Sequence, residues 1–141
     1  MTSDSKVERP GSCLCRRVRF TVVGDPFDYS TCHCDNCKKS GGSAFMTNAF
    51  FAPDKVILTE AQDLISKYDD KATTSGNTLT RHFCSNCGSC LFLNSPSTAS
   101  EWITLSPATV DGQEWVPRRY NCPDGKLSWV VKLHMEPKDA V

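Results

Sequence analysis

The sequence predicts a mainly β fold in a single small domain. Short segments in which apolar and polar residues alternate recur at intervals of about ten residues, with turn-forming residues between them. No stretch of about twelve or more residues shows an apolar repeat at helical spacing. The length of 141 residues suits one domain with a modest core.

The predicted strands follow one another along the chain. Residues 1–10 are polar and are expected to form a disordered tail before the domain, which we expect to span residues 11–135. Val18, Phe20 and Val22 alternate with charged or hydroxyl-bearing residues, which is the period of a half-buried strand. Further strands are predicted at residues 44–52, 56–58, 64–68, 79–83, 91–93, 101–105 and 127–133. Residues 136–141 are expected to form a C-terminal tail.

Cysteine is the residue type that says most about function. The chain has nine cysteines, an odd number, and no segment near Met1 has the apolar stretch of a secretion signal. We therefore expect a reducing compartment, in which grouped cysteines bind metal more often than they form disulfides. Seven of the nine fall into three groups, which are Cys13 with Cys15, Cys32 with Cys34 and Cys37, and Cys84 with Cys87.

Seven thiols divide naturally into one closed site of four ligands and one open site of three. The first group can join the third, or the last two cysteines of the second group can join the third, as in a zinc ribbon. Spacing allows both pairings, and we favour the first because the ribbon leaves Cys13, Cys15 and Cys32 without a role. The open site is then Cys32, Cys34 and Cys37. Three thiolates make zinc a weak Lewis acid, which favours a substrate thiol over an acidified water as its fourth ligand.

The charge balance bears on the kind of partner. Sixteen basic and sixteen acidic side chains give a net charge of zero, so no overall field attracts nucleic acid or an anionic membrane. No run approaches the roughly eighteen apolar residues that a membrane helix requires. We expect a cytoplasmic monomer or homodimer that acts on a small molecule.

Three segments carry the ordered cysteine motifs, at residues 11–20, 32–37 and 83–89. Together with residues 108–111 they resemble the glutathione-dependent formaldehyde-activating enzyme family, whose zinc-binding domain also occurs in centromere protein V-like proteins. The resemblance covers about residues 10–133. It implies a zinc-bound, β-tent-like fold of stacked antiparallel sheets.

The resemblance also implies two Zn²⁺ ions per chain. Their ligands would be Cys13, Cys15, Cys84 and Cys87 for a structural zinc, and Cys32, Cys34 and Cys37 for a catalytic and more labile zinc. The implied activity is that of a carbon–sulfur lyase, in which glutathione or a similar thiol adds to formaldehyde to give S-hydroxymethylglutathione. A related small carbonyl compound is another possible substrate. An alternative of a different class is a non-catalytic zinc module that presents loops to a protein partner.

Several residues are candidates for contacts with a substrate. Tyr120 stands where the family often has the histidine of a Pro-x-x-His motif. Lys38, Lys39 and Arg81 are candidates for holding the carboxylates of a glutathione-like substrate, and a solvated surface role is the default for each.

The remaining histidines and cysteines have simpler interpretations. His33 lies between two cysteines and is expected to point away from the metal. His82 and His134 lie in strand patterns and are expected to be ordinary strand residues. Cys90 is expected to be a buried free thiol and Cys122 a spare thiol beside a turn.

Overall fold

The computed structural model describes residues 7–130 and contains two β-sheets and a short α-helix. The predicted mainly β fold is confirmed. The strands are β1 (Glu8–Ser12), β2 (Arg19–Val23), β3 (Asp28–Cys32), β4 (Met46–Phe51), β5 (Val56–Glu60), β6 (Ile65–Asp70), β7 (Leu79–Cys84), β8 (Cys90–Asn94), β9 (Ile103–Leu105) and β10 (Arg119–Asn121). The helix α1 spans Asp35–Gly41.

The strands form a three-stranded sheet, in the order β1-β2-β5, and a seven-stranded sheet, in the order β10-β3-β4-β9-β8-β7-β6. Neighbouring strands are antiparallel, as expected, with the exception of β10, which runs parallel to β3. No helix within residues 7–130 is long and apolar enough to cross a membrane.

The main core lies between the two sheets. Phe20 and Val22 of β2 are buried in one cluster with Phe51, Leu91 and Leu105 of the larger sheet. Full burial of an apolar side chain of this size stabilises the fold by about 1.5–3 kcal/mol. The buried side chains of the alternating segment at residues 18–22 therefore contribute much of the packing energy between the sheets.

A second, smaller core lies against the larger sheet. Cys32, Cys37, Met46 and Leu93 form its buried part, and Cys34, Leu79 and Cys122 pack against it. Thiols thus make up much of this core, which places it beside the predicted open metal site.

Strand β1 includes residues that were expected to lie in the N-terminal tail. Residues Glu8–Ser12 form β1 and pair in register with β2, so the disordered tail predicted for residues 1–10 is wrong at positions 8–10. The Arg9 guanidinium donates to the Gly24 carbonyl at 3.2 Å and pairs with Asp25 at 3.2 Å, which explains how a polar segment is held in a sheet.

The elements that sequence reasoning missed are short and polar. Strand β3 lies between β10 and β4, so Ser30 and Thr31 are buried although neither is apolar. Helix α1 has seven residues, of which Cys37 is the buried one, so it has no apolar repeat. Strand β10 has three residues and lies at a sheet edge.

The strand predicted at residues 127–133 is wrong over its described part. Residues 128–130 are helical, and the Val130 N–H donates to the Leu127 carbonyl at 3.0 Å. Leu127 and Trp129 are exposed while Val130 is buried, so the apolar residues do not share one face of a strand. Residues 131–133, the tail at 136–141 and His134 lie outside the described residues.

Candidate metal centres and the adjoining cleft

The first cluster consists of four cysteines. The sulfur atoms of Cys13, Cys15, Cys84 and Cys87 all lie within 4.8 Å of one another. Those of Cys13 and Cys15 are 3.4 Å apart, and those of Cys15 and Cys84 are 3.9 Å apart. Zinc–sulfur bonds of about 2.3 Å place the ligand atoms of a tetrahedral site about 3.8 Å apart. The cluster therefore has the donor set and spacing of a closed zinc site.

Two tight turns build this cluster, one between β1 and β2 and one between β7 and β8. Each turn contains a residue in the left-handed region, Arg16 (φ 67°) in the first and Gly88 (φ 78°) in the second. The Gly88 N–H donates to the Cys84 carbonyl at 2.7 Å. The Leu14 N–H donates to Ser89 Oγ at 2.9 Å and so joins the two turns. The cluster ties the smaller sheet to the larger one.

The second cluster consists of three cysteines. The sulfur atoms of Cys32, Cys34 and Cys37 lie within 4.8 Å of one another, and those of Cys32 and Cys34 are 3.6 Å apart. Cys32 ends β3, Cys34 is the N-cap residue of α1, and Cys37 lies in the helix. Burial raises the pKa of Cys34 above its usual value, and the Cys37 N–H, which donates to Cys34 Sγ at 3.3 Å, acts in the opposite direction.

The grouping matches the pairing that we favoured from the sequence. Cys34 and Cys37 lie in a different cluster from Cys84 and Cys87, so the described residues do not form the ribbon arrangement. All-thiol donor sets at this spacing suit zinc among the common biological cations. Both clusters are thus able to hold a metal ion, and the identity of that metal stays a prediction.

The thiols of the two clusters have unequal pKa values. Burial raises the pKa of Cys13 to about 11, whereas hydrogen bonds from the Ser89 hydroxyl and the backbone N–H groups of Cys15 and Ser89 lower that of Cys87 to about 5. The hydrogen bond between Cys32 and Cys37, reinforced by burial, raises the pKa of Cys32, and the same bond lowers that of Cys37. Metal entry at either cluster therefore releases protons.

The three-cysteine cluster opens onto a cleft of about 570 Å³. Asn48, Phe50, Trp102 and Tyr120 form part of its wall, and the loop at residues 73–78 forms part of its rim. No residue of the four-cysteine cluster lines this cleft. One cluster is thus accessible to a small molecule through the cleft, while the other joins the sheets.

A neighbouring cleft of about 640 Å³ meets the first at Asn36, Arg81 and Leu93. It is the larger of the two, but Cys90 is the only cysteine among the described residues that line it, so the candidate metal ligands lie in the smaller cleft. Lys39 also lines the larger cleft.

A buried ion pair forms the boundary between the two clefts. Arg81 Nη2 lies 2.9 Å from Asp70 Oδ2, and both side chains are at least nine-tenths buried. Asp70 also accepts hydrogen bonds from Asn36 Nδ2 at 3.0 and 3.1 Å. The pair therefore anchors helix α1, and with it the three-cysteine cluster, to the larger sheet. Arg81, a candidate for substrate binding, has this structural role.

Replacing Asp70 tests the role of that ion pair. Burial acts to raise the pKa of Asp70, but Arg81, Asn36 and the Ala72 N–H together hold it below its usual value. The carboxylate therefore contributes stability above the unfolded pKa of about 4 and loses it as the pH falls through the lower folded pKa. At pH 7 we expect Asp70→Asn to lower the free energy of unfolding by about 3 kcal/mol, because the buried Arg81 charge loses its partner.

Denaturant unfolding of zinc-replete protein at pH 7 measures this effect. The matched control is Asp69→Asn, which removes an exposed carboxylate one residue away and is expected to change stability by less than about 1 kcal/mol. Equal stability of the two variants would show that the ion pair does not anchor the helix.

His33 belongs to neither cluster. It is buried, its Nε2 lies 3.2 Å from Thr31 Oγ1, and its ring packs against Phe45 and Tyr120 with centroid distances of 5.3 and 5.8 Å. Burial, followed by the charges of Lys126 and Lys38, lowers its pKa, so the imidazole is neutral at pH 7. The placement agrees with the expectation that His33 points away from the metal.

The other candidates have varied surroundings. Lys38 donates to the Gly125 carbonyl at 2.8 Å and is held in place rather than free in solvent. His82 stacks on Phe92 with a centroid distance of 4.2 Å. Cys90 begins β8 and is half-buried. Cys122, expected to be a spare thiol, lines the same cleft as the three-cysteine cluster, and the polar sequence of β10 gave no signal for this placement.

Comparison with known proteins identifies the family. Residues 8–122 match the model of the family described as glutathione-dependent formaldehyde-activating enzyme, and the match includes both cysteine clusters. The chain belongs to the glutathione-dependent formaldehyde-activating enzyme family. The resemblance inferred from the three cysteine motifs is confirmed, and membership supports a lyase-like function related to glutathione and formaldehyde.

Two curated proteins are similar in sequence to this chain. A Halomonas elongata protein, provisionally named a glutathione-dependent formaldehyde-activating enzyme, is 34% identical over 90 residues, which are 61% of this chain and 55% of that protein. The chain thus matches about half the length of that relative. An uncharacterized lyase of Schizosaccharomyces pombe is 27% identical over 124 residues, 83% of this chain and 85% of the relative.

A solved structure shares the fold. The crystal structure of a Rhodobacter sphaeroides protein superposes with a TM-score of 0.58 at 16% identity, covering 79% of this chain and 99% of the other. The likeness supports the fold described above.

Proposed function

We propose that this member of the family is a zinc-dependent carbon–sulfur lyase that joins, or in reverse splits, a thiol and a small aldehyde. Glutathione and formaldehyde are the reactants that the family description supports. The observation that carries the proposal is the convergence of three cysteine sulfurs at an open cleft, apart from a four-cysteine cluster. An interaction module needs no second, open cluster of this kind.

A zinc ion held by Cys32, Cys34 and Cys37 would lower the pKa of a substrate thiol bound to it and keep that sulfur as the nucleophilic thiolate. The chain supplies the positioning. The N-cap geometry at Cys34 fixes one ligand, and the β3–β4 pairing fixes Cys32 opposite Met46. The cleft volume of about 570 Å³ lies within the range of roughly 300–1,000 Å³ common for small-molecule sites.

The proposed reaction is an addition to a carbonyl group. The thiol sulfur forms a bond to the carbonyl carbon, the carbon–oxygen π electrons move to the oxygen, and that oxygen takes up a proton. The product of glutathione and formaldehyde is S-hydroxymethylglutathione. Phe50 and Trp102 contribute apolar surface to the wall of the cleft beside the three-cysteine cluster.

Measured adduct formation tests this function. We expect zinc-replete protein to speed the approach of glutathione and formaldehyde to their adduct, followed by NMR exchange or stopped-flow methods, at least tenfold above the protein-free reaction. The rate should rise in proportion to protein concentration, and it should fall on mild chelation and return when zinc is added. If zinc-replete protein gives no acceleration, this reaction is not the function of the site.

A further inference from the structure

A short segment that begins with β10 lies beside the three-cysteine cluster. We call residues 119–126 the strap. In the parallel pairing of β10 with β3, Asn121 lies opposite Cys32, and the His33 N–H donates to the Asn121 carbonyl at 3.1 Å. Cys122 is therefore placed one residue beyond the partner of Cys32.

The Cys122 thiol faces the cluster. It lines the same cleft as Cys32, Cys34 and Cys37, and it packs against the small core that contains them. Its sulfur lies outside the group in which every sulfur is within 4.8 Å of every other. A movement of the Cys122 side chain is thus needed to bring a fourth sulfur within bonding distance of a metal held by the cluster.

The backbone holds Cys122 in this position. The residue has φ 53° and ψ 57°, a left-handed backbone conformation that residues other than glycine rarely adopt. Gly125 packs closely on the backbone at His33, because a Cβ atom added to Gly125 would lie 2.1 Å from the His33 carbonyl oxygen. Lys38 Nζ donates to the Gly125 carbonyl at 2.8 Å. The strap therefore contacts His33 and Lys38, which are neighbours in sequence of the cysteines of the cluster.

We propose that Cys122 is a fourth, exchangeable thiolate ligand of the metal bound by Cys32, Cys34 and Cys37. Zinc in proteins is usually four-coordinate, and three protein thiolates leave one position to fill. Cys122 fills it in the resting state. The site is then closed until a substrate thiol arrives, which protects the metal between turnovers.

Exchange with the substrate balances protons and charge. Cys122 would leave as a neutral thiol, because the proton of the incoming substrate thiol would pass to the Cys122 sulfur while the substrate took its place as a thiolate ligand. The number of thiolates on the metal stays at four, and no separate base is required. This exchange step rests on the proposed function, whereas the ligation of the resting metal by Cys122 does not.

Cobalt substitution provides the test, because thiolate-to-cobalt charge-transfer absorption reports the number of bound thiolates. The full chain is loaded with Co²⁺ at both clusters, giving eight expected thiolates with Cys122 bound. We expect Cys122→Ser and Cys122→Gly to lose about one eighth of the charge-transfer intensity, since four-coordinate sites then hold seven thiolates. Glycine adopts the left-handed backbone readily, so the second variant keeps the strap conformation.

The matched control is Cys90→Ser, which removes a half-buried thiol from the neighbouring cleft and should leave the intensity unchanged. Added glutathione should restore the lost intensity in both Cys122 variants and leave that of the unsubstituted protein constant. The variants should also release the labile zinc to a chelator at least tenfold faster.

The results for ligation by Cys122 and for the proposed reaction can be told apart. Full charge-transfer intensity in both Cys122 variants would overturn ligation by Cys122, even if adduct formation were accelerated. Suppose instead that the variants lose one eighth of the charge-transfer intensity and that the unsubstituted protein does not accelerate adduct formation. That result would support Cys122 as a ligand and reject the proposed reaction.

Discussion

Cys84→Ser is expected to abolish folding of the chain. Cys84 is fully buried at the end of β7, and its cluster joins the turn after β1 to the turn after β7. A structural zinc site contributes on the order of 10 kcal/mol or more at neutral pH, which is comparable to the whole stability of a small domain. The substitution removes one ligand and leaves a hydroxyl group in the core, so both effects act in the same direction.

Circular dichroism and denaturant unfolding of purified Cys84→Ser measure this outcome. Cys90→Ser is the control, because Cys90 lies outside both clusters, and its variant should unfold like the unsubstituted protein. A Cys84→Ser protein with native spectra and an unchanged unfolding midpoint would show that the four-cysteine cluster does not stabilise the fold.

Cys34→Ser is expected to keep the fold and to lose the proposed reaction. Serine is a favourable N-cap residue, so its hydroxyl can accept the bond that Cys34 Sγ now accepts from the Cys37 N–H, and α1 should persist. The cluster is left with two of its thiols, and a soft metal loses affinity for it. We expect adduct formation to fall to the uncatalysed rate and the labile zinc to be absent.

The contrast between the two variants separates the roles of the clusters. Unfolding of Cys34→Ser to the same degree as Cys84→Ser would mean that both clusters are structural. Retention of full activity by folded Cys34→Ser would mean that the reaction does not take place at the three-cysteine cluster.

The sequence predicted well those features that depend on local spacing. The alternation at residues 18–22 placed β2, and the apolar strands β4, β7 and β8 lie close to their predicted positions. The cysteine groups predicted two clusters, because ligands two or three residues apart converge wherever the backbone turns tightly. Assigning the three cysteine groups to the two clusters required one further assumption, which is that every grouped cysteine has a role.

The parts that sequence missed depend on contacts distant in the chain. Strand β3 contains Ser30 and Thr31, which are buried because β10 and β4 lie on either side of it. The residues of β3 alone do not indicate that it has these two neighbours. Strand β10 pairs in parallel with a strand about ninety residues earlier in the chain. For this reason Cys122 looked like a spare thiol, although the pairing places it beside the open cluster.

The central claim is that the chain carries two metal centres of different lability. Zinc counted per chain by native mass spectrometry, before and after brief exposure to a mild chelator, tests this most directly. We expect two zinc ions before treatment and one after it, with the fold retained and adduct formation lost. A single zinc from the start, or loss of both ions at the same rate together with unfolding, would contradict the claim.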